Sequence, residues 1–195
     1  MNKFEYLEEV MKQLGLTRRD VLNYWGGYEP TNKHECLFNK YALSEIKPGM
    51  FWFDDDTFSM SKFSDKKIKT IVELVSDNVI YGDMTVSEIY NVKPKMLIWD
   101  EIEEYLRACN NLCNENEKVV SYTADQLDEV LKTYDHVRNV ISKCCGKNPR
   151  TKWQWSSTLS SWGCAWIVSF ETNTRCTTWK NDVLEFRPVL TMKVT

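Results

Sequence analysis

The chain has 195 residues, enough for one ordinary domain with a buried core, or for one domain with a small appendage. Lysine and arginine number 25 against 28 aspartates and glutamates, which gives a formal net charge of −3. This balance disfavours nucleic acid as the main partner and gives no overall attraction to an anionic membrane.

The first residues predict neither a secretory signal nor a membrane anchor. Glu5, Glu8 and Glu9 interrupt the apolar core that a signal would need, and no apolar run approaches a membrane-spanning length. We therefore expect no membrane insertion and a cytoplasmic location by default, with a phage particle or the cell surface as alternatives if a leader was removed. The seven irregularly spaced cysteines are then expected to be reduced thiols.

Residues 2–25 predict two short helices. Apolar residues recur at helical spacing on both sides of Gly15, and Thr17 begins a capping-box pattern. The bland interpretation is a helical hairpin that packs on the main domain or on another subunit. A helix-turn-helix that reads DNA is the alternative, for which Arg18 and Arg19 are the available basic residues.

Residues 1–48 are predicted to be this hairpin plus a connector, and the main domain to span 49–195. The domain opens with a β-hairpin, whose strands lie at 50–53 and 57–60. Its turn holds three adjacent aspartates, residues 54–56. They could bind a hard cation, although an acidic loop tip explains them more simply.

Further strands are predicted at 68–75 and 78–81. Thr85 and Glu88 form a capping-box pattern that predicts a short helix ending at Pro94. A helix of about three turns follows, with apolar residues at three- and four-residue steps from Trp99.

The cysteines Cys109 and Cys113 lie one turn apart at the end of that helix. No histidine or second cysteine pair stands at ligand spacing, so a zinc site is a weak alternative to structural thiols. The helix also carries four carboxylates, at residues 100, 101, 103 and 104. Such a cluster is typical of a solvated face.

The clearest predicted helix spans 123–143. Thr123 and Gln126 form a capping box, and Gly146 stands where the helix should end. His136 lies beside the apolar stripe, where a structural role is expected. The stripe itself consists of Leu127, Val130, Leu131, Tyr134, Val137, Val140 and Ile141.

Residues 153–189 predict a compact, aromatic-rich sheet, because they hold five of the eight tryptophans and four β-like runs. The last strand, 184–191, contains Pro188, which lacks a backbone N–H and therefore indicates an edge or a bulge. Loops or turns between the strands are predicted at 159–164, 171–173 and 181–182.

The order of motifs in this stretch, WSST, AWxVxF, a lysine and FRPV, resembles a C-type-lectin-like domain. Such domains occur at the C-terminus of bacterial collagen-like surface proteins, and variable proteins of diversity-generating retroelements look alike here. The resemblance is specific over 153–190 and loose from residue 49. The matching residues are Trp155, Ser156, Ser157, Thr158, Ala165, Trp166, Val168, Phe170, Lys180, Arg187, Pro188 and Val189.

The resemblance implies an α+β, C-type-lectin-like fold with two helices and a twisted antiparallel sheet. We expect a non-catalytic module, without cofactor or metal, that binds a protein or another macromolecular ligand, because the sequence has no Gly-rich phosphate motif and only His34 and His136 as imidazoles. Tryptophans such as Trp155 and Trp166, together with Phe170 and Arg187, would be framework. The ligand-binding residues would be Ser160, Ser161, Trp162, Asn173, Arg175, Thr177, Trp179, Asn181 and Asp182, with Leu159, Cys164 and Thr172 beside them.

Two questions stay open at this point. Trp162 and Trp179 are either recognition anchors or a cover for the core.

The sequence also departs from calcium-dependent lectins, because a lysine interrupts their Trp-Asn-Asp triplet and their proline motif is missing. Rival functions are a DNA-binding regulator and an enzyme of the formylglycine-generating type, for which Cys164 and Cys176 are the candidate pair.

Overall fold

The computed structural model describes residues 45–194. Two β-sheets and two helical segments make up this part of the chain, which confirms the α+β class. The predicted hairpin at 2–25, with Arg18 and Arg19, lies outside the described residues. No helix between residues 45 and 194 has the length and apolar character needed to cross a membrane.

The first sheet has six strands in the order β2-β1-β3-β4-β11-β6, and all of its pairings are antiparallel. The hairpin predicted at its start and the two strands predicted after it are confirmed. The strands are β1 (Phe51–Phe53), β2 (Phe58–Ser59), β3 (Ile68–Ser76), β4 (Val79–Asp83), β6 (Glu117–Val120) and β11 (Val189–Lys193).

The second sheet has five strands in the order β5-β10-β7-β8-β9. Its pairings are antiparallel except for β10 with β7, which run parallel at Glu185 and Gln154. The strands are β5 (Lys95–Leu97), β7 (Trp153–Leu159), β8 (Cys164–Ser169), β9 (Thr174–Trp179) and β10 (Leu184–Phe186).

The chain passes from the second sheet to the first at Pro188. A single strand over 184–191 was expected, and this is wrong: β10 ends at Phe186 and β11 begins at Val189 in the other sheet. Pro188 has no N–H to donate to a ladder, and its carbonyl accepts from the N–H of Met84 at 3.0 Å.

Helix α1 (Ile102–Asn110) follows a 3₁₀ turn at Trp99–Glu101. The long helix predicted at 123–143 is present as α2 (Ala124–Leu131), α3 (Tyr134–Val140) and a π-helical turn at Ile141–Cys145. The Thr123 hydroxyl accepts from the N–H of Gln126 at 3.1 Å, and the Gln126 side chain accepts in return at 2.9 Å. The predicted capping box is therefore confirmed.

The prediction of a helix after Thr85 is wrong. The chain makes one 3₁₀ turn there, Met84–Val86, and the Ser87 hydroxyl binds the following N–H groups. The Glu88 carboxylate accepts from the N–H of Ile68 at 2.8 Å instead of returning to its own helix start.

Helices α2 and α3 bury their apolar stripe against both sheets. Helix α1 also packs on both, with Ile102 against the five-stranded sheet and Cys109 against the six-stranded sheet. Each large apolar side chain buried this way stabilises the fold by about 1.5–3 kcal/mol. The α2–α3 core contains Phe51, Phe53, Ile68, Ile71, Leu127, Val130, Tyr134, Val137, Ile141, Val168 and Phe170. The α1 core contains Ile102, Trp155, Ala165, Ile167 and Phe186.

Four charged side chains, Glu73, Asp83, Arg150 and Arg187, are buried where the strands of the two sheets meet. Arg187 binds Asp83 at 2.9 Å, and its guanidinium also donates to the carbonyl oxygens of residues 148 and 149. Burial raises the pKa of Asp83, but the two arginines outweigh that effect and hold it below its usual value. Burial also raises the pKa of Glu73. The positive charge of Arg150 lowers that pKa by less, so it stays above its usual value.

Candidate ligand-binding surface

Strand β9 presents alternate residues to its two faces. It pairs with β8 in an unbroken register, with Cys164 opposite Trp179 and Trp166 opposite Thr177. Alternate residues of a strand share a face, so Arg175, Thr177 and Trp179 lie on the same side of the sheet. Cys164 and Trp166 of β8 share that face, because they are directly opposite Trp179 and Thr177. The structure thus aligns three of the predicted ligand-binding residues.

The loop between β7 and β8 extends Trp162 into solvent. Ser160 N–H donates to the Cys164 carbonyl at 2.9 Å, and Cys164 N–H donates to the Ser161 carbonyl at 3.0 Å. Trp162 adopts φ 44°, an uncommon conformation for a non-glycine residue, and Gly163 follows at φ 78°. The Trp162 side chain is 95 % exposed, so it does not cover the core.

Trp179 lies beside that loop at the end of β9 and is 60 % exposed. The N–H of the next residue, Lys180, donates to the Gly163 carbonyl at 2.8 Å, which joins the loop to the turn after β9. The turn closes when Asp182 N–H donates to the Trp179 carbonyl at 3.0 Å, and the Asp182 carboxylate accepts from the hydroxyl of Thr178. Asn181 is exposed in the same turn.

Arg175 is held in place at the other end of this face. Its guanidinium lies 4.3 Å from the ring centre of Trp166, and Nη1 lies 2.8 Å from both Asp125 and Asp128 of α2. Hydrogen bonds with Asp125 and then Asp128 raise the pKa of Arg175. The residue therefore belongs partly to the framework, although 28 % of its side chain stays exposed.

The predicted residues do not all meet at one place. Asn173 forms the exposed tip of the hairpin before β9, with φ 53°. Trp179 lies six residues further along the chain at the far end of β9, a span of about 20 Å. The residues at the Trp162 end are Ser160, Ser161, Trp162, Trp179, Asn181 and Asp182; Arg175 and Thr177 lie between the ends.

Sequence reasoning missed three residues of this surface. Val183, directly after the Asn-Asp turn, is 57 % exposed and adds an apolar side chain next to that turn. Asp125 and Asp128 add carboxylates from α2. The available signal for Val183 was an apolar residue directly after a polar turn. Asp125 and Asp128 gave no signal of a surface role, because acidic residues are common at the start of any helix.

The residues expected to be framework are mostly buried. Trp155, Phe170 and Arg187 are enclosed, and the Trp155 indole N–H donates to the Leu97 carbonyl at 2.8 Å. Trp166 is half-buried, because Arg175 rather than the core covers its outer face.

The cysteine pair proposed for an enzyme is not assembled. Cys164 is opposite Trp179, whereas Cys176 is opposite Ile167, so the two thiols are on different faces of the sheet and about 10 Å apart along it. Cα atoms more than about 7 Å apart cannot be bridged without backbone movement. Both cysteines are free thiols.

The aspartates of the first hairpin point back to their own strands. Asp55 accepts from Thr57 and from Lys66 Nζ, the latter at 2.6 Å, and Asp56 accepts from Lys69 Nζ at 2.5 Å. Across residues 45–194, no group of three or more His, Cys, Asp or Glu side chains is arranged to hold a metal ion.

Searches against protein-family models and against curated proteins find no match to this chain.

Proposed function

We propose that residues 49–195 form a C-type-lectin-like domain that binds a protein or other macromolecular ligand without catalysis. The contact surface would be the exposed indoles of Trp162 and Trp179 with the polar residues around them. One observation carries this proposal: two large aromatic side chains are exposed, Trp162 on a loop and Trp179 at the end of β9, and a backbone hydrogen bond joins that loop to the turn after β9. Exposed aromatics at a fixed spacing are typical anchors of recognition surfaces.

The backbone at Trp162 supports the same function. A left-handed conformation costs a non-glycine residue about 1–2 kcal/mol, and the two hydrogen bonds of the loop maintain it here. Strain of this kind clusters at binding sites, where the surrounding structure presents a side chain that would otherwise fold back.

The chemistry of the surface favours binding over catalysis. The side chains at the Trp162 end are indoles, hydroxyls, an amide and the Asp182 carboxylate. The nearby cations are already engaged, Lys180 by Asp100 and Arg175 by two aspartates. Indoles and hydroxyls supply contact area and hydrogen bonds, and the one carboxylate among them, on Asp182, already accepts a hydrogen bond from Thr178.

A displayed random-peptide library selected on the immobilised full chain tests the proposal. Peptides recovered on the intact protein should bind roughly 30-fold more weakly, or not at all, after Trp162→Ala or Trp179→Ala, since an anchor contributes about 2 kcal/mol or more. Leu112→Ala is the matched control, because Leu112 is also exposed but lies beyond α1. Equal binding by all three variants would refute the proposal.

A further inference from the structure

Among the strands of residues 45–194, β9 is an open edge. It ends the five-stranded sheet, and within residues 45–194 its one strand partner is β8. An edge strand presents a row of unpaired N–H and C=O groups that can bind another strand. The other sheet edges described are shorter: β2 has two residues, β5 has three and β6 has four, against six in β9.

The sequence of β9, TRCTTW, lacks the usual protection against pairing. It contains no proline, lysine or acidic residue, and its register with β8 has no bulge that would twist the edge away. Its single charge, on Arg175, is directed to Asp125 and Asp128. Three threonines favour an extended, hydrogen-bonded conformation.

We propose that β9 pairs antiparallel with β9 of a second copy of this chain, about a two-fold axis at Thr177, so that the two five-stranded sheets become continuous. Thr177 then lies opposite its own equivalent, and Arg175 lies opposite Trp179 of the other copy. Each opposed pair shares a face of the joined sheet, as the geometry of pairing requires.

This register places complementary side chains opposite each other on the two strands. The exposed indole of Trp179 would cover the exposed part of the partner's Arg175, a favourable cation–aromatic contact. The two Arg175 side chains stay about 13 Å apart along the strands, so like charges do not meet. A register shifted to Cys176 would leave Trp179 outside the paired segment, which is why we favour Thr177.

The first test is the mass of the full chain in solution, measured by light scattering after size exclusion over a wide range of concentrations. We expect a species of twice the 23.0 kDa chain mass. Thr177→Lys should return it to the single-chain mass, because two lysines would face each other across the axis. Asn173→Lys adds the same charge at the hairpin tip and should leave the dimer intact. Circular dichroism checks that both variants fold.

A second test reads the register directly. In a Cys176→Ser background, Thr177→Cys should form a cross-linked dimer on mild oxidation, whereas Thr174→Cys and the background itself should not. Trp162 lies outside β9, so Trp162→Ala tests ligand binding without changing the edge. Trp179→Ala would alter both surfaces and is therefore not used to separate the two proposals. A single-chain mass at every concentration, a dimer that survives Thr177→Lys, or equal cross-linking at Thr174 would overturn the proposal.

Discussion

Arg150 and Glu73 are 77 residues apart in the chain and form a two-pronged ion pair inside the fold. The Nε atom lies 2.9 Å from Oε1 and the Nη2 atom lies 3.2 Å from Oε2. The side chains are 2 % and 0 % exposed. The hydroxyl of Tyr122 also donates to Glu73, at 3.0 Å, so the carboxylate is bound on several sides. This pair joins β3 to the segment that enters β7.

Arg150→Met should lower the free energy of unfolding by about 3–5 kcal/mol, because it leaves the buried Glu73 without its cation. Urea denaturation at neutral pH measures the change. Arg107→Met is the control, since Arg107 forms an exposed ion pair with Glu103 at 3.8 Å and should cost less than about 1 kcal/mol. Equal losses in the two variants would show that the buried pair contributes no more than a surface pair.

Glu117 should make the stability of the fold depend on acid pH. Its carboxylate lies 2.5 Å from Lys69 Nζ and 2.5 Å from the Tyr90 hydroxyl. Burial raises the pKa of Glu117, but these two hydrogen bonds outweigh it and hold the pKa below its usual value. Because the folded pKa is the lower one, ionised Glu117 stabilises the protein above about pH 4.3, and this contribution is lost as the pH falls through the folded value.

The measurement is the difference in unfolding free energy between the wild type and Glu117→Gln across the acid range. The difference should be largest above about pH 5 and shrink below about pH 4. Glu104→Gln, on the exposed side of α1, controls for loss of a carboxylate. A difference that stays constant with pH would contradict the assignment.

Gly82 is needed because two neighbours approach its backbone closely. A Cβ atom there would lie 2.4 Å from the Thr70 methyl group and 2.6 Å from the Ile71 carbonyl oxygen. Neither can move easily within the six-stranded sheet, so Gly82→Ala should cost about 2 kcal/mol or more in unfolding free energy. Gly146→Ala is the comparison: its φ of 61° carries a backbone penalty of about 1 kcal/mol, but nothing lies within 4 Å. A smaller cost at Gly82 would argue against the close approach.

Three tryptophan substitutions should separate framework from surface. Trp155→Ala removes a buried side chain and should cost about 3–5 kcal/mol. Trp162→Ala and Trp179→Ala should change the unfolding free energy by less than about 0.5 kcal/mol, because both side chains are mostly exposed. Thermal and urea denaturation measure all three. A large loss in either surface variant would show that its indole supports the core.

Local signals predicted the elements that depend on neighbours in sequence. The first hairpin follows from aromatic residues on either side of an aspartate turn, and α2 follows from the Thr123–Gln126 capping box. The false helix after Thr85 shows the limit of such signals. Its capping pattern is present, but the Glu88 carboxylate binds the N–H of Ile68, twenty residues away, which sequence spacing does not reveal.

Long-range features could not be predicted. The burial of Glu73, Asp83 and Arg150 had no signal in the sequence, because charged residues are buried only when partners meet them in space. Arg187 was expected in the framework through the resemblance alone. The exposure of Trp162 and Trp179 depended on strand register and on a left-handed loop residue, neither of which periodicity fixes. The sequence therefore indicated which strands and loops lie here, while the exposure of each side chain required the structure.

The position of β11 bears on how this protein is synthesised. β11 is the last strand in chain order, yet it lies between β4 and β6 and pairs with both. Until the ribosome has released it, β4 and β6 cannot close into one sheet, and Arg187 has not reached Asp83. Cotranslational folding of this sheet is therefore delayed, and the nascent chain carries open strand edges that a chaperone can bind until synthesis passes Lys193.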